Sequence, residues 1–308
     1  MRRPIVAALL VLGIAVLAGV EVAARLSGIG DFPVYLDDPG IGYILAPGQH
    51  GVFLRRNRWE FNEYSMGAGP FRPEGRRNVL LLGDSLVLGG NPLDQPQRLG
   101  PTLERELGTP WAVWPSGAES WSASNEATYI QRVPEAVSRM EWLVWVLNDG
   151  DFQGRSVWRS DLLNPRRHPR WLGLYAFEKY VWLDRLAPRL PAWFPQPTPP
   201  DPEAVLPFDR RFPAFQEFVR ELRRSRPGLH VCIVWYPEVA ELAPPPGDFY
   251  PAMSARLGAF AAAEGCAFVD LARAPGWGPG DYRDILHPSA AGNAAFARIL
   301  KPLLEPAP

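Results

Sequence analysis

Two short stretches at opposite ends of the chain hold residue types suited to nucleophilic chemistry, Gly83-Asp84-Ser85-Leu86 and Asp284-Ile285-Leu286-His287. A serine hydroxyl is a poor nucleophile at neutral pH. It needs a neutral imidazole within hydrogen-bond reach, and that imidazole needs an acceptor to hold its tautomer and stabilise the imidazolium. Ser85, His287 and Asp284 offer the nucleophile, the base and the orienting carboxylate, so attack on an ester carbonyl is the leading chemistry. The chain has four histidines and two cysteines. His50, His168 and His230 lack an Asp at the same spacing, and too few ligands remain for a zinc cluster, so neither a metal nor another cofactor is expected.

These groups need a scaffold that brings distant segments together. From Asn78 onward, short apolar runs alternate with amphipathic helical stretches, the pattern of a parallel sheet covered on both faces. The expected strands are Asn78 to Gly83, Trp111 to Pro115, Trp142 to Leu147, Leu229 to Trp235 and Cys266 to Leu271. Helices are expected from Gln97 to Leu107, along the Phe212, Phe215, Phe218, Val219 and Leu222 face, and along Met253, Leu257 and Phe260. Ser85 then falls at the carboxyl end of a buried strand, where such folds bind ligands and where backbone N–H groups are free to meet an oxyanion. Asp284 and His287 fit one tight turn before Pro288 and a last helix starting near Ser289.

The 308 residues suffice for one large α/β domain with extensions, and 47% hydrophobic residues supply a core. A net charge of −1, from 32 basic and 33 acidic residues without long single-sign runs, excludes a nucleic-acid footprint. Arg2 and Arg3 precede an uncharged run from Pro4 to Val20 that is just long enough to cross a bilayer, with apolar character continuing around Glu21. A retained anchor over residues 1–25 is favoured, and a signal peptide cleaved after Ala18 or Ala24 is the alternative. Either exports the rest of the chain, with the arginine pair held in the cytoplasm. Residues 26–75, rich in Gly, Pro and aromatics, read as an extended arm on the main domain of residues 76–308. Residues 152–207 break the alternation, and form either a lid or partner surface or a mere excursion. Cys232 and Cys266 lie in apolar runs, where buried free thiols are expected over a bridge.

The Gly-Asp-Ser-Leu block and the ending Asp284-Ile285-Leu286-His287-Pro288-Ser289-Ala290-Ala291-Gly292-Asn293 resemble the SGNH or GDSL-type hydrolases across about residues 76 to 305. The resemblance implies a three-layer α/β/α, flavodoxin-like fold on a five-stranded parallel sheet. It also implies that Ser85 is the nucleophile, His287 the base and Asp284 the orienter. In that family the oxyanion hole is completed by a glycine after the second strand and an asparagine after the third. Pro115-Ser116-Gly117-Ala118-Glu119-Ser120 places Gly117 at the first glycine of the second block but Ser120 at its second. Leu147-Asn148-Asp149-Gly150-Asp151 offers Asn148 as the amide donor, while alignment by strand length would put Gly150-Asp151 there. The implied hole is thus Ser85, Gly117, Ser120 and Asn148. Glu21 to Arg25 and Gly42-Tyr43-Ile44-Leu45-Ala46-Pro47 are similar to a membrane-anchored branch of the family.

The resemblance implies an exported serine esterase on the outer, periplasmic side of a bacterial inner membrane, acting on an acyl ester, with an O-acetylated surface or cell-wall glycan as the expected substrate. Transfer of the acyl group to a sugar beside a membrane acyltransferase partner is the second reading. A non-catalytic glycan-binding or assembly factor is the third. Among 12 tryptophans, those in strands read as core, and Trp121 is the one expected to meet substrate.

Overall fold

The computed structural model describes residues 2–152, 154–189, 211–242 and 249–305. In chain order its main elements are α1 (Arg2–Ser27), β1 (Tyr35–Asp38), β2 (Gly42–Leu45), β3 (Gln49–Phe53), β4 (Asn57–Phe61), β5 (Arg77–Leu82), α2 (Ser85–Leu88), α3 (Leu99–Leu107), β6 (Trp111–Ser116), α4 (Ala123–Arg132), α5 (Pro134–Val137) and β7 (Trp142–Leu147). They continue with α6 (Leu172–Ala176), α7 (Arg211–Ser225), β8 (His230–Trp235), α8 (Phe249–Glu264), β9 (Ala267–Asp270) and α9 (Ala290–Leu304). Of the stretch 152–207 that breaks the alternation, residue 153 and residues 190–207 lie outside the described residues.

The five expected strands form one parallel sheet in the order β6-β5-β7-β8-β9. Strand side chains alternate between faces, and the burial follows that period. Val79 and Leu81 join Leu99, Leu103, Phe296 and Leu300 beneath α3 and α9. Leu80 and Leu82 join Tyr129, Phe215, Val219 and Leu257 beneath α4, α7 and α8. This gives three layers with both sheet faces covered, as continuous apolar strands require. Cys232 is buried, Cys266 partly so, and both are free thiols.

The chain leaves β5 toward β6 on one side, while β7 lies on the other. Ligands of open α/β sheets bind at such a reversal, outside the carboxyl ends of the strands. Leu82 pairs in register with Ser116 of β6 and Trp145 of β7, so the loops carrying Ser85, Gly117 and Asn148 leave the sheet close together.

Residues 26–75 differ from the extended arm expected. They form two antiparallel hairpins, β1–β2 and β3–β4. Each strand has four or five residues, too short for alternation to stand out among the glycines and aromatics. The hairpins pack on the main body through Tyr35, Tyr43, Trp59 and Phe61. Side-chain bonds to main-chain carbonyls tie them down: the Trp121 indole N–H donates to the Tyr43 carbonyl at 2.7 Å, and the Asn125 amide to that of Ile41.

Candidate active site

Ser85 begins the four-residue α2 directly after the β5 turn. Asp84 caps that helix, its Oδ1 accepting from the Leu86 N–H at 2.9 Å. Gly83 is required by space, since a Cβ there would meet Val87 Cγ2 at 2.7 Å and the Val146 carbonyl at 3.1 Å. Gly117 crosses just as closely, and a Cβ on it would run into the Gly83 and Asp84 carbonyl oxygens.

The turn before α9 carries the other two groups. The Asp284 carboxylate accepts the backbone N–H of His287 at 2.7 Å and of Leu286 at 2.9 Å, folding the turn upon itself. The same carboxylate lies 3.0 and 3.1 Å from His287 Nδ1, and His287 Nε2 lies 3.0 Å from Ser85 Oγ. Serine, imidazole and carboxylate therefore form one hydrogen-bonded line. Partial burial pushes the Asp284 carboxyl up, but the two N–H groups and the His287 ring outweigh it and hold it below the ordinary carboxylate range. Tyr236 steadies the turn by donating its hydroxyl to the Leu286 carbonyl at 2.8 Å, and Arg283 reaches back to the Gly89 carbonyl at 2.7 Å. Neither residue stood out in the sequence, because each acts on a backbone carbonyl distant in the chain.

Ser85 opens into a cleft of about 630 Å3 also lined by Ser120, Trp121, Asn148 and His287. Among the described residues the N–H groups of Ser85 and Ser120 have no acceptor. Ser120 has φ +59°, the left-handed region that glycine adopts most readily, which accounts for a glycine being usual there. Gly117 is not in the cleft lining; it packs against the serine turn from behind. Asn148 follows β7, and its amide group is oriented by two bonds: Oδ1 accepts from Gly150 N–H at 2.7 Å, and Nδ2 donates to Asp84 Oδ2 at 3.0 Å. Asp151, the alternative for this block, instead points inward and accepts the Asn148 backbone N–H at 2.6 Å. Trp121 borders the cleft but is only 2% exposed. With its N–H on Tyr43 and its ring against Tyr129, it has no open face for a sugar to stack on, contrary to the sequence expectation.

Beneath this site three carboxyl groups are buried close together, on Asp84, Asp151 and Glu126. Burial, reinforced by their mutual repulsion, pushes Asp151 and Glu126 well above the ordinary range, and burial also raises Asp84. Glu126 accepts the Trp145 indole N–H through one oxygen, leaving the other without a partner among the described residues.

The stretch after β7 forms one wall of the cleft through Gly154, Ser156, Arg159, Lys179 and Tyr180. It is stitched to the second-strand loop, where the Ser156 hydroxyl donates to the Ser120 carbonyl and the Ser156 N–H donates to Asn125 Oδ1 at 2.9 Å.

The profile of the GDSL-like Lipase/Acylhydrolase family matches residues 81–295, a span holding both the serine turn and the Asp284–His287 turn. The chain belongs to this family. It is thus a GDSL-type esterase with the α/β/α fold expected from its sequence. No curated protein matches the chain. Among solved structures, this GDSL enzyme is similar to a carbohydrate acetylesterase family member from Sinorhizobium meliloti, at 17% identity over 74% of this chain and 97% of that one, with a TM-score of 0.42. It is also similar to a member of the lipolytic G-D-S-L family from Veillonella parvula, at 12% identity over 75% and 100% of the two chains, with a TM-score of 0.45. These likenesses say nothing of what the GDSL enzyme binds.

Proposed function

We propose that this esterase is exported and membrane-anchored, and that it removes O-acetyl groups from a surface or cell-wall glycan. The observation that carries the reading is the unbroken line from Ser85 Oγ through His287 to Asp284 at the floor of an open cleft. Ser85 Oγ attacks the ester carbonyl while its proton passes to His287 Nε2, with Asp284 stabilising the imidazolium. The tetrahedral oxyanion is met by the N–H groups of Ser85 and Ser120 and by the Asn148 amide, with Gly117 holding the loop to the serine turn. His287 returns the proton to the departing alcohol oxygen, leaving an acyl-serine. Water, deprotonated by His287, then attacks the acyl carbon and frees the acid.

A polar alcohol partner is supported by Asn91, Glu119, Arg159 and Arg283 around the cleft. Export and anchoring are supported by α1, whose segment Pro4–Ser27 contains an 18-residue stretch of mean hydropathy 2.7 with no residue buried in the protein. In this reading residues 1–25 are the anchor, 26–75 the hairpin arm, and 76–308 the catalytic domain with 152–207 inserted, the catalytic domain facing the periplasm or cell exterior. The His287 side chain is 27% exposed, which gives water a path to the acyl-enzyme and favours hydrolysis over transfer to a sugar. The test is product analysis on an acetylated oligosaccharide, with and without an added acceptor sugar. Free acetate alone supports the esterase. Acetylated acceptor would establish the transferase reading with its membrane acyl-donor partner, and no turnover would leave a glycan-binding or assembly factor.

A further inference from the structure

More than half of the exposed large apolar side chains outside α1, among the described residues, fall in one stretch. Trp171 is 68% exposed, Leu174 57%, Phe177 49%, Val181 40% and Leu186 39%. The stretch is α6 and the π-helical turns that extend it, Phe177–Leu186. Spacings of three, three and four residues place Trp171, Leu174, Phe177 and Val181 along one side of this helix. Its other side is committed to the protein, with Leu172 and Tyr175 buried and Lys179 and Tyr180 lining the active-site cleft. Glu178, one turn after Leu174, is the one charged group in the exposed row. An exposed face so rich in large apolar and aromatic side chains is the mark of an interaction surface rather than of ordinary solvent exposure.

The position of α1 says what covers it. At a rise of 1.5 Å per residue, Pro4 to Glu21 spans about 26 Å, close to the hydrocarbon thickness of a bilayer, so Glu21 and Arg25 reach the outer boundary. There α1 docks onto the start of the apolar helix. Glu21 Oε2 accepts the Gly173 N–H at 2.8 Å, and Arg25 donates to the Arg170 carbonyl at 2.7 Å while pairing with Glu21 at 2.7 Å. A side chain on Gly173 would press on Val20 Cγ1 at 3.0 Å, so the two helices touch through a residue with none. The exposed face therefore emerges where α1 leaves the lipid, with the exposed Arg167 and Arg170 beside it to meet anionic headgroups.

We infer that Trp171–Leu186 is an interfacial helix, seated in the lipid headgroup boundary, and that it holds the cleft within about one helix diameter, roughly 10 Å, of the membrane surface. The inference rests on α1 being a retained span. It adds to the proposed function that the substrate is an acyl ester presented at the membrane surface.

The test uses the full chain in nanodiscs of phosphatidylethanolamine and phosphatidylglycerol, with nitroxide labels placed singly at Leu10, Leu174, Phe177 and, as a water-facing reference on α5 at the far end of the sheet, the exposed Glu135, after Cys266→Ser. Relative accessibility to oxygen and to a water-soluble nickel chelate reports depth. Labels at Leu174 and Phe177 are expected to favour oxygen, and the label at Glu135 the chelate. Equal chelate access at Leu174, Phe177 and Glu135, with Leu10 in lipid, overturns the inference while leaving the anchor intact. Chelate access at Leu10 removes the anchor itself, and the inference with it. In a second measurement, Leu174→Ser with Phe177→Ser is expected to leave turnover of a soluble short-chain ester unchanged and to lower turnover of the same ester on a bilayer-anchored carrier at least tenfold. Equal rates on the carrier overturn the membrane-facing cleft.

Discussion

Arg283 Nη1 donates to the carbonyl of Gly89 at 2.7 Å, joining the turn that carries His287 to the residue that ends the Ser85 helix. The bond spans most of the catalytic domain. Asn293 adds a second tie by donating to the Gln97 carbonyl at 2.8 Å. Arg283→Met removes the first tie while keeping most of the packing volume. Its expected effect is a fall in kcat approaching a hundredfold, because displacement of a reacting group by about 1 Å costs that order. Steady-state kinetics on a soluble short-chain ester, with Tm measured in parallel, check this. A full loss of Tm with kcat intact in the surviving fold would show the bond to be merely structural.

Ser85→Ala and His287→Ala should each abolish ester hydrolysis, and the double variant should be no worse than either alone, since the pair acts as a unit. Turnover retained by purified Ser85→Ala would sink the serine mechanism.

If the proposed mechanism holds, Asn148→Ala should lower kcat about a hundredfold or more, equivalent to roughly 3 to 4 kcal/mol, with little change in KM, because in it the amide meets charge only as it develops. Asp151→Asn should leave kcat within about tenfold, since Asp151 supports the Asn148 backbone from inside rather than facing the cleft. The reverse pattern would move the oxyanion donor to the Gly150-Asp151 alignment.

The buried carboxyls set a pH dependence of stability. Burial and the neighbouring Asp84 charge raise the folded-state pKa of Glu126 above its unfolded value. The folded state therefore holds the proton more tightly, and the group's penalty is absent below the unfolded pKa of about 4.3 and grows as pH rises toward the folded one. Glu126→Gln keeps an acceptor for the Trp145 N–H and removes that titration. It should raise Tm at pH 8 and have a smaller effect at pH 4.5, read by thermal denaturation. A larger gain at pH 4.5 would contradict this account.

Arg98 is 3% exposed, and its guanidinium makes no hydrogen bond or ion pair with any described residue. Burial pushes its pKa down to about 10. Because no partner would be orphaned, Arg98→Met should stabilise the fold by about 1 to 3 kcal/mol. Chemical denaturation checks the sign, and destabilisation would reveal an anion that the guanidinium holds.

The sheet was legible in the sequence because buried parallel strands are continuous apolar runs, and Val79–Leu82 or Trp142–Leu147 allow little else. The proximity of Asp284 to His287 was legible too, since three residues before a helix can close only a tight turn. Ser289 caps α9 where the last helix was expected to begin. Bringing Ser85 to His287 was beyond local pattern, because it depends on strand order and on ties such as Arg283 to Gly89. The hairpins of the arm, the covered face of Trp121 and the cleft wall around Ser156 were likewise decided only by tertiary packing. Each rests on a side chain or backbone group bonding to a main-chain carbonyl far away in the chain, and a carbonyl oxygen is common to every residue and leaves no mark in sequence.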